Sequence, residues 1–166
     1  DAFVVSDSDI GCYSRPETGN HILIGSEDPE CDERIFVDPD KWDENFTDQW
    51  NTQLYRQAQR YPNLPLSSKV KGVVSLYDVS DDWLPIYDKS SLPGFYMAVG
   101  SSGNQYKNAP IAGVMMAKLI EQCEKGHDHD KDPVKLHLKY INREIDIGFY
   151  SRNRVINSES SMSVLG

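Results

Sequence analysis

The sequence has few cysteines, and their arrangement disfavours two kinds of site. Cys12, Cys31 and Cys123 are its only cysteines, and no Cys-x-x-Cys pair occurs. An odd number of widely spaced cysteines disfavours a disulfide framework, and the missing pair disfavours a structural zinc site. We therefore expect a reducing compartment and a cytoplasmic protein.

Long apolar runs and an excess of basic residues are also absent. No run approaches the roughly 18 apolar residues of a membrane span, and the first residues lack the basic stretch of a signal peptide. The formal net charge of -9 argues against nucleic acid or an anionic membrane as the main partner. The chain also starts without Met, as we expect of a piece of a longer protein.

The patterns that are present indicate a mixed domain that starts with strands. Residues 2–5, 9–14 and 21–25 are strand-like and are separated by polar turns at 6–8 and 16–20. They predict antiparallel hairpins. The 166 residues are enough for one hydrophobic core.

The first of two main helices is predicted to begin at Asp38 and to end before Pro62. Asp38 is a typical N-cap residue, and Pro39 is a typical first helical residue. Apolar residues then recur every four positions, which is one stripe at helical spacing. They are Trp42, Phe46, Trp50, Leu54 and Ala58. We expect the two tryptophans to be core residues rather than ligand contacts.

Three more strands and a second helix follow. Residues 70–79 are rich in β-branched side chains, and 85–88 form a shorter candidate strand. The continuous apolar run 95–99 is typical of a strand covered on both faces. Pro110 lies in the first turn of a helix that should stop at Gly126.

The second helix is apolar or small on two sides, so we expect it to pack tightly within a larger body. Its apolar face contains Ile111, Val114, Met115, Leu119 and Cys123. Its face of small residues contains Ala109, Ala112, Gly113 and Ala117.

The end of the chain is predicted to hold a hairpin and a loosely held tail. Residues 136–141 and 144–150 are the two candidate strands, and 157–163 are polar without an apolar pattern. His127 and His129 have a spacing that could bind a metal, but they lie in a charged linker. We expect a solvated loop there and no metal.

The segment most able to carry chemistry is the loop 100–105, which joins an apolar strand to the second helix. The N-terminus of a helix offers unpaired N–H groups and a partial positive charge, which together stabilise an anion. The alternative is a tight turn without a ligand, because no Gly-x-Gly-x-x-Gly and no phosphate-loop signature is present.

Two blocks around this loop resemble the D-amino-acid oxidase superfamily, which includes sarcosine oxidase and glycine oxidase. Residues 72–86 read GVVSLYDVSDDWLPI, and residues 93–110 read PGFYMAVGSSGNQYKNAP. Upstream, 13–17 and 22–25 are similar to the strands that cover the flavin in that family. The resemblance extends over roughly residues 1–125.

The resemblance implies an α+β fold. An antiparallel or mixed sheet of the substrate domain with two main helices would be joined by the last strand and helix of the FAD-binding domain. The implied boundaries are 1–92 for the remainder of the substrate domain, 93–126 for the FAD-domain piece and 127–166 for a C-terminal extension.

The family binds the ADP half of FAD with a Gly-x-Gly-x-x-Gly that this sequence lacks. The resemblance therefore implies that an N-terminal FAD-binding segment is missing here and that the isolated chain is inactive and binds no FAD tightly. Ser75 stands where the sarcosine-oxidase branch attaches FAD through Cys. Because Ser cannot form that thioether, we expect non-covalent FAD.

The resemblance also implies a set of cofactor-binding residues at the pyrimidine end of the flavin: Gly100, Gly103, Asn104, Gln105, Tyr106 and Lys107. Lys107 matches a lysine implicated in oxygen activation; the alternative is a solvated lysine. Asn104 replaces the family's common His and Gln105 its common Gly, which leaves the substrate and the electron acceptor open.

Substrate contacts are implied for Tyr77, Asn104 and Arg15. Tyr77 matches a tyrosine of the substrate cavity and is, with Lys107, a candidate catalytic residue; its alternative is a half-buried strand aromatic. Arg15 could bind a carboxylate with two parallel hydrogen bonds, or it is a surface arginine.

Two functions are consistent with these patterns. The first is the C-terminal part of an FAD-dependent oxidoreductase that oxidises the C–N bond of an amino acid or secondary amine by hydride transfer to flavin N5. The second is a non-catalytic binding or structural module that keeps the sheet without the flavin site.

Overall fold

The computed structural model describes residues 3–66 and 71–164. The chain divides into two compact units, Asp1–Leu76 and Tyr77–Gly166. The regular structure of the described residues consists of small antiparallel sheets and two main helices, which confirms the α+β class.

The first unit contains a three-stranded antiparallel sheet in the order β1-β2-β3. The strands are β1 (Val5–Asp7), β2 (Cys12–Glu17) and β3 (His21–Ser26). The predicted hairpins are confirmed, but β2 extends through Pro16 and Glu17, which were expected in the turn. Pro16 pairs with Ile22 across the ladder.

The helix of the first unit, α1, spans Asp48–Ala58, so the predicted start at Asp38 is wrong. The Asp38 carboxylate accepts the N–H of Asp40 at 2.9 Å, and that of Asp43 accepts the N–H of Asn45 at 2.9 Å. These local turns satisfy backbone donors without a helix, which is why short polar side chains compete with helix formation.

The aromatic stripe is only half-buried. Phe46, which precedes α1, stacks on Trp50 with ring centroids 4.4 Å apart. The buried side of α1 is instead marked by Gln57, which is 1% exposed. Arg56 forms a bidentate ion pair with Asp32, with N–O distances of 2.7 and 2.6 Å.

The second unit contains two hairpins and the longer helix. One hairpin pairs β4 (Ile86–Lys89) with β5 (Tyr96–Val99), and the other pairs β6 (Lys135–Leu138) with β7 (Arg143–Asp146). The helix α2 spans Ala109–Glu124. The second unit also contains two 3-10 turns, Gln105–Asn108 and Ile147–Tyr150. Its core consists of Tyr87, Met115, Leu119, Val134 and Ile147.

The strand predicted over 70–79 is wrong for the described residues 71–79, which are irregular; Val70 lies outside the described residues. Val73 is 84% exposed. β-Branched residues favour a strand only where a neighbouring strand supplies hydrogen bonds and cover, and residues 71–79 lie in none of the three sheets described here.

β5 and α2 are less covered than their apolar composition suggested. Within the described residues β5 pairs with β4 alone, and Val99 is 47% exposed. On α2, Met115 and Leu119 are buried, whereas Gly113 and Ala117 are exposed. These 166 residues alone therefore do not cover β5 on both faces or α2 on two sides, and the expected packing of both within a larger body stays a prediction.

The terminal hairpin is confirmed, but the tail is held by hydrogen bonds. The Asn157 N–H donates to an Asp82 carboxylate oxygen at 3.3 Å, and the Ser160 hydroxyl donates to the Asp82 carbonyl at 2.5 Å. Asn157 and Ser160 thus tie the tail to the buried residue Asp82, while Ser158, Glu159 and Ser161 are exposed.

Candidate functional site

The loop between β5 and α2 is fastened by Asp78, which lies at the start of the second unit. One carboxylate oxygen accepts the N–H groups of Gly100 at 2.9 Å and Ser101 at 3.1 Å. The other accepts the Ser101 hydroxyl, and the Asp78 carbonyl accepts the N–H of Ser102 at 3.2 Å. Burial tends to raise the Asp78 pKa, but the hydrogen bonds from Ser101 and Gly100 outweigh it and lower the pKa.

The loop turns through left-handed backbone conformations. Gly100 has φ of 69°, Ser102 of 49° and Gly103 of 75°. Glycine adopts such angles without steric cost, which explains two of the three residues. Ser102 is fully buried, so its unfavourable angle is held by the packing around it.

Tyr77 lies directly against Gly103. A Cβ atom built on Gly103 would be 2.8 Å from the Tyr77 ring carbon Cε1. No side chain fits between the ring and the loop backbone. Tyr77 is nevertheless 59% exposed, so the rest of its surface is open. The structure therefore brings two of the sequence-predicted site residues into contact.

The 3-10 turn Gln105–Asn108 leads from the loop into α2. Tyr106 is 97% exposed and Lys107 is also exposed. The Gln105 amide oxygen accepts from the Tyr87 hydroxyl at 3.1 Å and from the Asn108 amide at 3.0 Å. Gln105 therefore anchors the turn to the core, while Tyr106 and Lys107 are exposed.

Asn104 is buried, with 8% of its surface exposed. Its amide nitrogen donates to the Ser163 carbonyl at 3.3 Å, and its amide oxygen accepts from Gln105. The side chain is thus engaged by the C-terminal tail and by Gln105, and the Asn104 N–H donates within the loop to the Ser101 carbonyl at 3.0 Å.

A groove of about 300 Å³ opens beside the loop, between β4–β5 and the first turns of α2. Val99, Ala112 and Met116 contribute to its walls, and Ser101 and Gln105 border it from the loop side. The groove is therefore lined mainly by apolar residues, with polar groups at one end.

The turn Ser80–Leu84 lies next to the loop at Gly100. Trp83 has a left-handed φ of 59°, and a Cβ on Gly100 would lie 3.4 Å from the Ser80 Cβ. The buried Asp82 carboxylate accepts from the Leu84 N–H at 3.2 Å and the Ser80 hydroxyl at 3.2 Å. The turn is therefore fixed by one buried acid.

Arg154 neutralises that acid, and sequence reasoning missed this residue. Its Nε and Nη2 atoms lie 2.9 and 2.5 Å from the two Asp82 oxygens. The guanidinium holds the pKa of Asp82 far below its usual range. The available signal was an arginine pair at 152 and 154 in a segment that otherwise carries few basic residues.

A second buried acid is held in a similar way, on β4. Asp88 accepts from Arg152 Nη1 at 2.9 Å and from the Ser151 hydroxyl at 3.0 Å. His129 Nε2 lies 3.7 Å from Asp88, and burial lowers the His129 pKa. Arg152 also binds Asp130 and lowers the Asp130 pKa to about 2.

Two sequence-predicted residues lie in the first unit. Arg15 projects from β2 and pairs with Glu17, with an N–O distance of 2.9 Å. Ser75 is exposed. Their assigned roles stay predictions.

The described residues contain neither a metal-binding cluster nor a membrane-spanning helix. No group of three or more His, Cys, Asp or Glu side chains in that part of the chain is placed to hold a metal ion. None of its helices is both long enough and apolar enough to cross a bilayer.

Comparison with known proteins gives one match. The family model described as DAO, FAD dependent oxidoreductase, matches residues 1–119. No curated protein and no solved structure matches the chain. Because the family match spans more than half of the 166 residues and includes Tyr77, Asp78 and the whole Gly100–Lys107 loop, the chain belongs to the FAD-dependent oxidoreductase family.

Proposed function

We propose that this chain forms the flavin-ring side of an active site that oxidises the C–N bond of an amino acid or secondary amine. The observation that carries the proposal is the contact between Tyr77 and Gly103, in a loop whose backbone Asp78 holds in place. In such an enzyme the FAD, when bound, supplies the hydride-accepting position, N5.

The residues present fit one half of FAD and not the other. The exposed backbone at Gly103, the exposed Tyr106 and Lys107 and the adjoining apolar groove suit a planar ring with a polar edge. No Gly-x-Gly-x-x-Gly is present for the ADP half. We propose that chain outside these 166 residues supplies that half, and that the attachment is non-covalent because Ser75 cannot form a thioether.

The loop and the start of α2 would stabilise negative charge at the polar edge of the ring. The first N–H groups of a helix and its dipole favour an anion at that end. Lys107 adds an ammonium group with three donors. We propose that these groups, with the backbone of Gly100 and Gly103, bind the pyrimidine end, and that Lys107 also assists the electron acceptor.

Tyr77 is the proposed substrate contact in the second unit. Its ring is fixed against Gly103, and 59% of its surface remains exposed, so it can line a cavity beside the loop. Arg15 remains a candidate for the substrate carboxylate; in the first unit its guanidinium pairs with Glu17 at 2.9 Å. Asn104 would act through its backbone.

Anaerobic mixing of the full-length protein with a substrate panel tests the chemistry. N-methyl amino acids, primary amino acids and the matching 2-hydroxy acids are compared by loss of the visible flavin absorbance. We expect bleaching by an amine-bearing compound and none by its hydroxy analogue. Reduction by hydroxy acids alone would contradict C–N oxidation.

Two variants test the assigned roles. Tyr77→Phe should mainly raise the KM for the amine substrate, and Lys107→Met should slow reoxidation of the reduced protein, because each change removes a polar group from the site. Lys125→Met, at the far end of α2 from the loop, is the matched control and should behave as wild type. Equal reoxidation rates of Lys107→Met and Lys125→Met would contradict the role proposed for Lys107.

One observation favours a second candidate, a non-catalytic module: the sequence has no motif for the ADP half of FAD. A full-length protein that purifies without flavin and does not take it up would support this alternative.

A further inference from the structure

The C-terminal segment from Arg154 to Ser163 contacts both the turn Ser80–Leu84 and the proposed flavin-facing loop. At one end Arg154 reaches the turn Ser80–Leu84. At the other end the Ser163 carbonyl accepts from Asn104 in the loop itself. The family match ends at residue 119, so these contacts come from chain that the family model does not describe.

The contact at the turn is made by a buried, fully paired carboxylate. Asp82 is 0% exposed and Arg154 only 9% exposed at its side chain. Arg154 Nη2 also donates to the Leu84 carbonyl at 2.9 Å. Without its guanidinium, a buried negative charge would lose its counter-ion, which is strongly unfavourable.

The tail adds donors to the same acid after Arg154. The Asn157 N–H donates to the Asp82 carboxylate and the Ser160 hydroxyl to its carbonyl. Asp82 is therefore held by three residues of one short segment. This pattern indicates that the segment and the turn form a single cooperative structure.

The turn and the residues just before it also contact the loop. A Cβ on Gly100 would lie 3.4 Å from the Ser80 Cβ, and Asp78, two residues before Ser80, binds the N–H groups of Gly100 and Ser101. We expect a loosened turn to weaken both contacts with the loop. The Asn104–Ser163 hydrogen bond is a third support, and it comes directly from the tail.

We propose that residues 154–163 are a C-terminal brace that sets the position of the loop 100–107, with Arg154 as its positioning residue and Asn104 as the loop residue that the brace engages. The brace contributes no group to the chemistry. The part that concerns the flavin rests on the proposed function, whereas the mechanical part does not.

Hydrogen–deuterium exchange of the full-length protein tests the mechanical part without any flavin signal. Arg154→Gln should speed exchange at residues 78–84 and 100–108 by at least about tenfold, because the buried carboxylate loses its charged donors. Arg152→Gln, which unpairs Asp88 instead, should act mainly on residues 86–90 and 128–134. An equal effect of both variants on the loop would overturn the role of Arg154.

Milder variants cover the case in which Arg154→Gln does not fold. Ser160→Ala and a chain that ends after Val155 keep the Arg154–Asp82 pair but remove contacts of the tail. Both should still speed exchange in the loop, and Arg154→Lys should restore part of the protection. Unchanged exchange in the shortened chain would show that the tail beyond Val155 supports nothing.

The flavin readout separates this inference from the proposed function. If both hold, Arg154→Gln and the shortened chain should shift the visible spectrum and the reduction potential of the bound flavin, while the KM for the amine changes less than kcat. Faster loop exchange with an unchanged flavin spectrum and potential would support the brace but contradict the proposal that the loop contacts the flavin. Wild-type exchange in all variants would overturn the brace itself.

Discussion

Gly103 occupies a position where both its backbone angle and the space around it exclude a side chain. Its φ is 75°, and a Cβ would lie 2.8 Å from the Tyr77 ring. Gly94 has a similar φ of 76° with no atom within 4 Å of the same point. The two glycines therefore separate backbone strain from the loss of the ring contact.

We predict that Gly103→Ala lowers the free energy of unfolding more than Gly94→Ala does. Both variants incur left-handed strain of about 1–3 kcal/mol, but only the first also displaces Tyr77. Chemical denaturation monitored by circular dichroism measures both values. Equal losses would mean that the Tyr77 ring moves aside at no cost.

His129 is a buried histidine whose ring Nδ1 accepts the Val134 N–H at 2.9 Å. Burial lowers its pKa from the ordinary 6.5, and the nearby Asp88 only partly opposes this. As the pH falls below about 6.5, the unfolded chain takes up a proton before the folded chain does. The free energy of unfolding therefore decreases as the pH decreases in that range.

We predict that His129→Asn flattens this acid dependence, because asparagine offers an acceptor near the Nδ1 position and does not titrate. The wild type should lose at most about 1.4 kcal/mol per pH unit through this group. Urea denaturation between pH 7 and 5 measures the slope for each protein. An identical slope in the variant would assign the dependence to other groups.

Among the elements, α2 is the one whose sequence and structure agree best. Pro110 in its first turn and Gly126 after its end set its limits, and Gly126 has the left-handed φ of 90° that ends helices. These signals are local, so tertiary contacts were not needed to read them.

α1 and the segment 71–79 were harder to predict because their structure depends on competing contacts. The stripe through Trp42 and Phe46 has helical spacing, yet Asp38 and Asp43 close turns there. β-Branched residues at 71–79 have no neighbouring strand in the described part of the chain. Periodicity and composition show neither the turns at the two aspartates nor the lack of a neighbouring strand.

The small-residue face of α2 gives a prediction at the same scale. A Cβ on Gly113 would meet no atom within 4 Å, and alanine is favoured over glycine in a helix by about 0.5–1 kcal/mol. Gly113→Ala should therefore raise the thermal midpoint of the 166-residue chain, and Ala117→Gly should lower it. A destabilised Gly113→Ala variant would show that this face is covered.

At the scale of the whole molecule, the candidate site could be predicted from the sequence only where its residues lie close together along the chain. The two family blocks located Tyr77 and the loop, because those residues lie close together in sequence and carry a recognisable pattern. The pairing of Arg154 with Asp82 joins positions 72 residues apart, and no local pattern reports such a distance. The support of the loop therefore emerged only from the fold.

We predict that the 166-residue chain alone does not retain FAD. The groove beside the loop can contact one end of the cofactor, but no Gly-x-Gly-x-x-Gly binds the pyrophosphate. Gel filtration after incubation with FAD should yield a colourless protein. Co-elution at one FAD per chain would show that the ADP half is bound by residues other than that motif.

The proposed flavin-facing site is tested by the flavin content of the purified full-length protein. We expect a visible flavin spectrum at about one FAD per chain and release of the FAD on denaturation, because Ser75 allows no thioether. A colourless protein that takes up no added FAD would contradict the proposed flavin-facing site.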